Sequence, residues 1–286
     1  MSEGEQTTGE EASTGARSQG TEVASAGGAV RRACVTGASS GIGEAFARRL
    51  ARDEYALTLV ARNAERLESL AAELRRTRRV AVEVRPVDLT DTAALEGLAS
   101  ELASAPPELL VNNAGFGTVG PFAELDIAQE EALVRLNVWA VMRLTHAVLP
   151  AMIARGHGSI INVSSLAGET AGPFSASYAA SKAFVTRFSE ALAEELRGSG
   201  VRMQALLPGF TRTNFQARAG VDASKLPGFA WLTPESVVEA SLGALEKDET
   251  LCVPGAGYRL LAGLQRLAPR GLSRKVAGAA FRRGIQ

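Results

Sequence analysis

The sequence predicts an α/β fold, a doubly wound parallel sheet of Rossmann type with about seven strands and helices on both faces. Three observations carry this expectation. Between Arg31 and Pro254, short apolar runs alternate with helix-length amphipathic stretches. Several of those runs lack the polar–apolar alternation of a half-exposed strand, which suits a parallel sheet covered on both faces. A glycine-rich turn follows the first run and opens the first helical stretch, and alternation of this kind winds right-handed βαβ units.

Taken in order, Ala33–Thr36 reads as the first strand and Gly43–Asp53 as the helix after it. Ala56–Ala61, Val80–Val84 and Leu109–Val111 read as the next three strands, with helices over Ala64–Arg78 and Thr92–Ala103 between them. A long helix is expected over Ile127–Arg155, where Asp126 followed by Gln129 resembles a capping box. Ser159–Val163 is the fifth strand. The helix over Ala176–Arg197 is stopped by Gly198 and Gly200 before the sixth, Val201–Leu207. The stretch from Asn214 to Leu232 is irregular, carries Phe215, Leu226, Phe229 and Trp231, and reads as a lid over a substrate; Leu251–Val253 supplies a seventh strand.

Composition sets the boundaries. Residues 1–28 are mostly Ser, Thr, Gly, Glu and Ala, with Val23 the sole branched aliphatic, so disorder is expected there. That segment lacks the apolar core of a signal peptide. Residues 29–255 form the expected catalytic domain and 256–286 a basic helical extension, since seven Lys or Arg and no Asp or Glu fall between Gly257 and Gln286. Over the 286 residues, 31 basic side chains balance 31 acidic ones, which gives no argument for a nucleic-acid partner. Two cysteines and two histidines exclude a disulfide scaffold and a histidine-rich metal site, so no metal is expected and the compartment is expected to be reducing, hence cytoplasmic. No uninterrupted apolar stretch of bilayer length is present.

In doubly wound sheets ligands bind outside the carboxyl ends of the strands, and five residue clusters fall there. Gly37, Ser39, Ser40, Gly41, Ile42 and Gly43 follow strand one. Glycines allow a tight turn and close backbone approach to a pyrophosphate, while the helix N-terminus offers free N–H groups and partial positive charge. Arg62 stands just after strand two, 19 residues beyond Gly43, where an NAD-binding sheet would carry an acid for the ribose 2′-hydroxyl. An arginine pairs instead with a 2′-phosphate, as in NADP, and a fork of this kind implies a roughly 10- to 150-fold preference. The alternative is a solvated residue opening a charged helix. Asp88 is placed to meet an adenine amino group or to cap the next helix. Asn113, Ala114 and Gly115 follow strand four, where they would support the cofactor.

After strand five come Ser164 and Ser165, then Tyr178 thirteen residues beyond Ser165, then Lys182. A spacing of four places Tyr178 and Lys182 on one helix face. A tyrosine titrates near 10, too high for efficient proton transfer at neutral pH, and a nearby ammonium would lower it. A serine hydroxyl could hold the substrate oxygen in line with the phenol. Pro208, Gly209, Thr211 and Thr213 follow strand six, positioned to close over the nicotinamide end.

Together these clusters resemble the short-chain dehydrogenase/reductase family over residues 31 to 254. Thr36–Gly43 matches its TGxxxGxG turn, Asn112–Gly115 its NNAG, and Tyr178 with Lys182 its YxxxK; Asn137 in Leu-Asn-Val matches the asparagine that completes a catalytic tetrad with Ser165. The resemblance implies hydride exchange between a nicotinamide cofactor (NADP before NAD) and a carbonyl or secondary alcohol. It implies Tyr178 as acid/base, Lys182 as ribose ligand, Ser165 orienting the substrate and Asn137 supporting a relay water. NADP-dependent members often carry a basic residue in the glycine turn, where this chain has Ser40. Many members end soon after the last strand, whereas this chain continues beyond Gly255. The partner is then a small carbonyl or alcohol and the assembly a homo-oligomer; within residues 257–286, Leu260, Leu261, Leu264 and Leu267 recur at helical spacing and could pack on the domain, meet another subunit or lie on an anionic membrane surface, with packing or subunit contact the simpler reading. Two other functions fit parts of the pattern, a non-catalytic dinucleotide-binding regulator and a membrane-surface acyl or lipid reductase.

Overall fold

A computed structural model describes residues 1, 30–170, 172–220 and 227–267. The disorder expected for 1–28, the tail beyond Leu267 and the lid residues 221–226 lie outside the described residues.

Seven parallel strands form one sheet in the order β3-β2-β1-β4-β5-β6-β7: β1 (Arg32–Thr36), β2 (Ala56–Ala61), β3 (Val82–Pro86), β4 (Leu109–Asn112), β5 (Gly158–Val163), β6 (Val201–Leu206) and β7 (Leu251–Cys252). This is the doubly wound order, with the chain switching direction between β1 and β4, so the carboxyl ends of those strands border a crevice. The central strands are apolar because both faces are covered. On one side pack α1 (Gly41–Arg52), α2 (Ala64–Arg78) and α8 (Pro234–Glu246), through Phe46, Leu50, Leu67, Leu74 and Val237. On the other, α3 (Thr92–Ser104) and α5 (Val141–Arg155) bury Leu95, Leu98, Leu144, Val148 and Met152. Cys34 and Cys252 are buried free thiols, and burial pushes Cys34 up to about 12 and Cys252 up to about 11, which keeps both protonated.

Several elements differ from expectation. The third strand runs two residues later than predicted, because Arg79 ends α2 in the left-handed region and Val82 is the first residue paired with β2, opposite Leu57. Asp88 therefore lies two residues past the strand end. Asp126 caps α4 (Ile127–Val134) by accepting from the Ala128 N–H at 3.0 Å, in place of the predicted pairing with Gln129. The predicted helix over Ile127–Arg155 is continuous but passes through one π-helical stretch, Arg135–Ala140. It is long and apolar enough for a bilayer span, yet it packs against α3 and the sheet, and Arg143 pairs with Glu96 of α3 at 2.7 Å. Within the lid, α7 (Phe215–Arg218) is helical, and α6 (Ala176–Glu195) and α9 (Ala256–Leu267) complete the helices among the described residues.

Candidate active site

The glycine turn is shaped by close approach. Gly37 and Gly41 have φ of +66° and +60°, conformations that side chains rarely adopt. A Cβ on Gly43 would lie 2.3 Å from the Gly37 carbonyl oxygen, and one on Gly37 2.7 Å from Asn113 Nδ2. Ser40 is the N-cap of α1, yet its hydroxyl caps no N–H of the helix, so the first turn keeps its donors for a ligand. Thr36 Oγ1 accepts from the Asn113 and Ala114 N–H groups at 2.9 and 3.0 Å, and Asn113 Nδ2 donates to the Thr36 and Gly37 carbonyls. The Asn113 amide nitrogen thus ties the β1 and β4 turns together, while Gly115 leaves room for Asn137 Oδ1, 2.9 Å from where its Cβ would be. A glycine cradle and an uncapped helix start fit a dinucleotide pyrophosphate.

Arg62 emerges at the end of β2 beside this turn, since the Ala38 N–H donates to the Val60 carbonyl at 3.2 Å. Its side chain is 75% exposed and lies 3.9 Å from the Asp88 carboxylate. Asp88 accepts from the Thr90 N–H and hydroxyl, and Asp91, not Asp88, caps α3. Burial works against the Asp88 carboxylate, but the Thr90 hydrogen bonds and Arg62 together hold it below the usual range. Both Thr90 bonds fall on Oδ1 of Asp88, while its Oδ2 faces Arg62.

The four catalytic candidates converge. Asn137 is fully buried in the π-helical stretch, a distortion frequent at functional sites. Its Nδ2 donates to the Phe116 carbonyl at 2.9 Å and to Ser181 Oγ at 3.1 Å, and its Oδ1 accepts from the Phe116 N–H. Ser181 donates in turn to the Tyr178 carbonyl at 2.7 Å. Lys182 is buried, and its ammonium donates to the Val163 carbonyl at 2.8 Å and lies 6.0 Å from the Tyr178 ring centre. Ser165 starts the turn Leu166–Glu169 with its hydroxyl on the Ala167 N–H, and the Leu166 N–H donates to the Pro208 carbonyl. Ser164 is structural, its hydroxyl closed against the Lys182 carbonyl and Thr186.

The electrostatics correct one expectation. Burial pushes the Tyr178 phenol up to about 12, and the Ser165 hydrogen bond opposes this only in part. Burial also pulls the Lys182 ammonium down to about 8. Desolvation governs both groups, so Tyr178 keeps its proton at neutral pH.

Beyond β6, the Thr211 hydroxyl donates to the Gly209 carbonyl, and Thr213 Oγ1 accepts from the Phe215 N–H. Phe215 tilts over Tyr178 with ring centres 5.6 Å apart, and a Cβ on Gly117 would touch both rings. Sequence reasoning missed Tyr258. Its ring lies where a Cβ on Gly209 would be, 2.3 Å away, and its hydroxyl accepts from the Phe210 N–H and donates to the Ala230 carbonyl. The C-terminal helix α9 thereby holds the Pro208–Thr213 loop against the lid. Ser181 was also missed; a small polar residue three positions after Tyr178 was its only signal.

Comparison with known proteins agrees with this geometry. The family model for short chain dehydrogenase matches residues 31–223. The chain belongs to that family. The dehydrogenase is 33% identical over 219 residues to a ketoacyl reductase, HetN, of a Nostoc species, covering 76% of this chain and 75% of that one. It is 40% identical over 193 residues to sulfoacetaldehyde reductase 2 of Chromohalobacter salexigens, covering 66% and 76%. A short-chain dehydrogenase from Sphingobium yanoikuyae, solved in complex with NADPH, superposes with a TM-score of 0.76 at 37% identity, over 83% of this chain and 94% of that one. The dehydrogenase is an NAD(P)-dependent oxidoreductase acting on CH–OH or carbonyl groups.

Proposed function

We propose that the dehydrogenase is an NADP-preferring carbonyl reductase in which Tyr178 is the general acid. The observation that carries this is the assembly of Ser165, Tyr178, Lys182 and Asn137 around one crevice, beside a glycine cradle built for a dinucleotide. When bound, the nicotinamide supplies a hydride to the substrate carbon. Tyr178 holds its proton to well above neutral pH and delivers it to the developing alkoxide. Ser165 orients the carbonyl oxygen toward the phenol. Lys182, fixed by the Val163 carbonyl, is the ribose ligand and the route along which the proton is replaced. Asn137, with both amide atoms on Phe116, positions a relay water. A pure dinucleotide-binding regulator would need none of these four side chains.

Phe215 over Tyr178, and Phe210 edge-on to Trp231 at 5.9 Å, give the crevice apolar walls. They favour a substrate whose carbonyl sits on an apolar body, and the ketoacyl reductase relative fits that reading. The exposed leucines of α9 (Leu260, Leu261 and Leu264) support a second reading in which this acyl chain is met at a membrane surface. Exposed Trp139 and Phe184, on helices packed against each other, suit a homo-oligomer, and the two reduced thiols suit a cytoplasmic site.

The test is NADPH oxidation with a panel of ketones and acyl thioesters. Tyr178→Phe should lower turnover by about 10²- to 10⁴-fold with NADPH affinity largely retained. A variant that keeps near-normal activity on a validated substrate would overturn the assignment.

A further inference from the structure

We propose that Arg218, carried on the lid, is a second coenzyme-specificity residue that clamps the 2′-phosphate of NADP from the side opposite Arg62. This rests on the reading that Arg62 faces the ribose 2′ position. Three observations place Arg218 there. Its Nη2 donates to Ser40 Oγ at 3.2 Å, although the two residues are 178 positions apart. The lid also touches the turn at a second point, because a Cβ on Gly41 would lie 2.9 Å from the Thr213 methyl group. Arg62 and Ser40 follow neighbouring strands, and the Ala38 N–H donates to the Val60 carbonyl, so the two residues stand at the same end of the sheet.

Arg62 alone is a weak discriminator, being 75% exposed and shared with the Asp88 carboxylate. Of the donors on Arg218, Nε is turned to the Asn214 carbonyl and Nη2 to Ser40, and the planar fork has further N–H groups for phosphate oxygens. A neutral Ser40 hydroxyl in the turn is thus complemented by a cation delivered from the lid. NADP would then meet a second cation that NAD would not engage.

The test needs no substrate. Calorimetry would compare adenosine 2′,5′-bisphosphate with 5′-AMP on the wild-type protein and on Arg218→Ala, Arg218→Lys and Arg62→Ala. Arg218→Ala should weaken the bisphosphate by about two- to fivefold, the scale of an exposed ion pair, and leave 5′-AMP unchanged. Arg218→Lys should recover part of the loss. An equal loss for both ligands, or none for either, overturns the proposal. If Arg62→Ala alone erodes the discrimination, the Arg218 assignment fails and the Arg62 reading stands; if Arg218→Ala alone erodes it, the Arg62 reading fails and the two-sided clamp with it.

Discussion

Lys182→Met should make the coenzyme-free dehydrogenase more stable and catalytically dead. The Lys182 side chain is buried without a carboxylate partner, and its ammonium is pulled from the ordinary lysine value of 10.5 down to about 8. At 1.4 kcal/mol per unit, that difference corresponds to about 3 kcal/mol of destabilisation at neutral pH. Met fills the same straight, unbranched volume without a charge. It forfeits the 2.8 Å hydrogen bond to the Val163 carbonyl, worth about 1 kcal/mol, which leaves a net gain of about 2 kcal/mol. For a domain of this size the gain is about 4–8 °C in Tm. The pH dependence follows from the direction of the shift. Between about 8 and 10.5 the unfolded chain binds more protons than the folded one, so wild-type stability rises with pH over that window. The advantage of Met is therefore full below pH 8 and shrinks by pH 9.5. Urea unfolding of both proteins at pH 7 and 9.5 measures it. A Met variant less stable at pH 7, or a gap of equal size at both pH values, would refute the argument that desolvation governs this lysine.

Arg62→Asp should shift the kcat/KM ratio for NADPH over NADH toward NADH, but from a wild-type preference nearer fivefold than a hundredfold. With the side chain 75% exposed and Asp88 3.9 Å away, solvent and a competing anion reduce what the sequence alone suggested. A ratio unchanged at fixed ionic strength would make Arg62 a solvated helix-start residue. Replacing Leu260, Leu261 and Leu264 together by Gln should abolish co-sedimentation with anionic vesicles if α9 meets a membrane, and equal sedimentation of both proteins would remove that role. Truncation at Gly257 is the poorer experiment, because it would also take away Tyr258 from the Gly209 loop.

The strand-end clusters were legible because each rests on a local rule. Glycines at positive φ, an amide pair after β4, and Tyr and Lys four apart on a helix are all written in short windows of sequence. The third strand was misplaced because Val80 and Val82 are equally apolar, and the left-handed Arg79 that separates them from α2 is not a glycine. Helix α8 was overlooked although Thr233, Pro234 and Ser236 spell a capped start with the proline at an early helical position. Contacts between distant segments were beyond reach. Nothing near Tyr258 announces Gly209, and nothing near Arg218 announces Ser40, because each pairing exists only after the lid has folded back over the sheet.

The protonation states also bear on direction. A pair expected from sequence to be a depressed tyrosine beside a charged lysine is, in the folded chain, a raised phenol beside a depressed ammonium. The cause is shared, since both groups are buried and burial favours each neutral form. Oxidation of an alcohol would require the phenolate, which is scarce at neutral pH when the phenol titrates near 12. Reduction of a carbonyl requires the protonated phenol, which is present throughout the neutral range. On the proposed reading of Tyr178 as acid, burial holds the phenol in the protonated form that carbonyl reduction consumes.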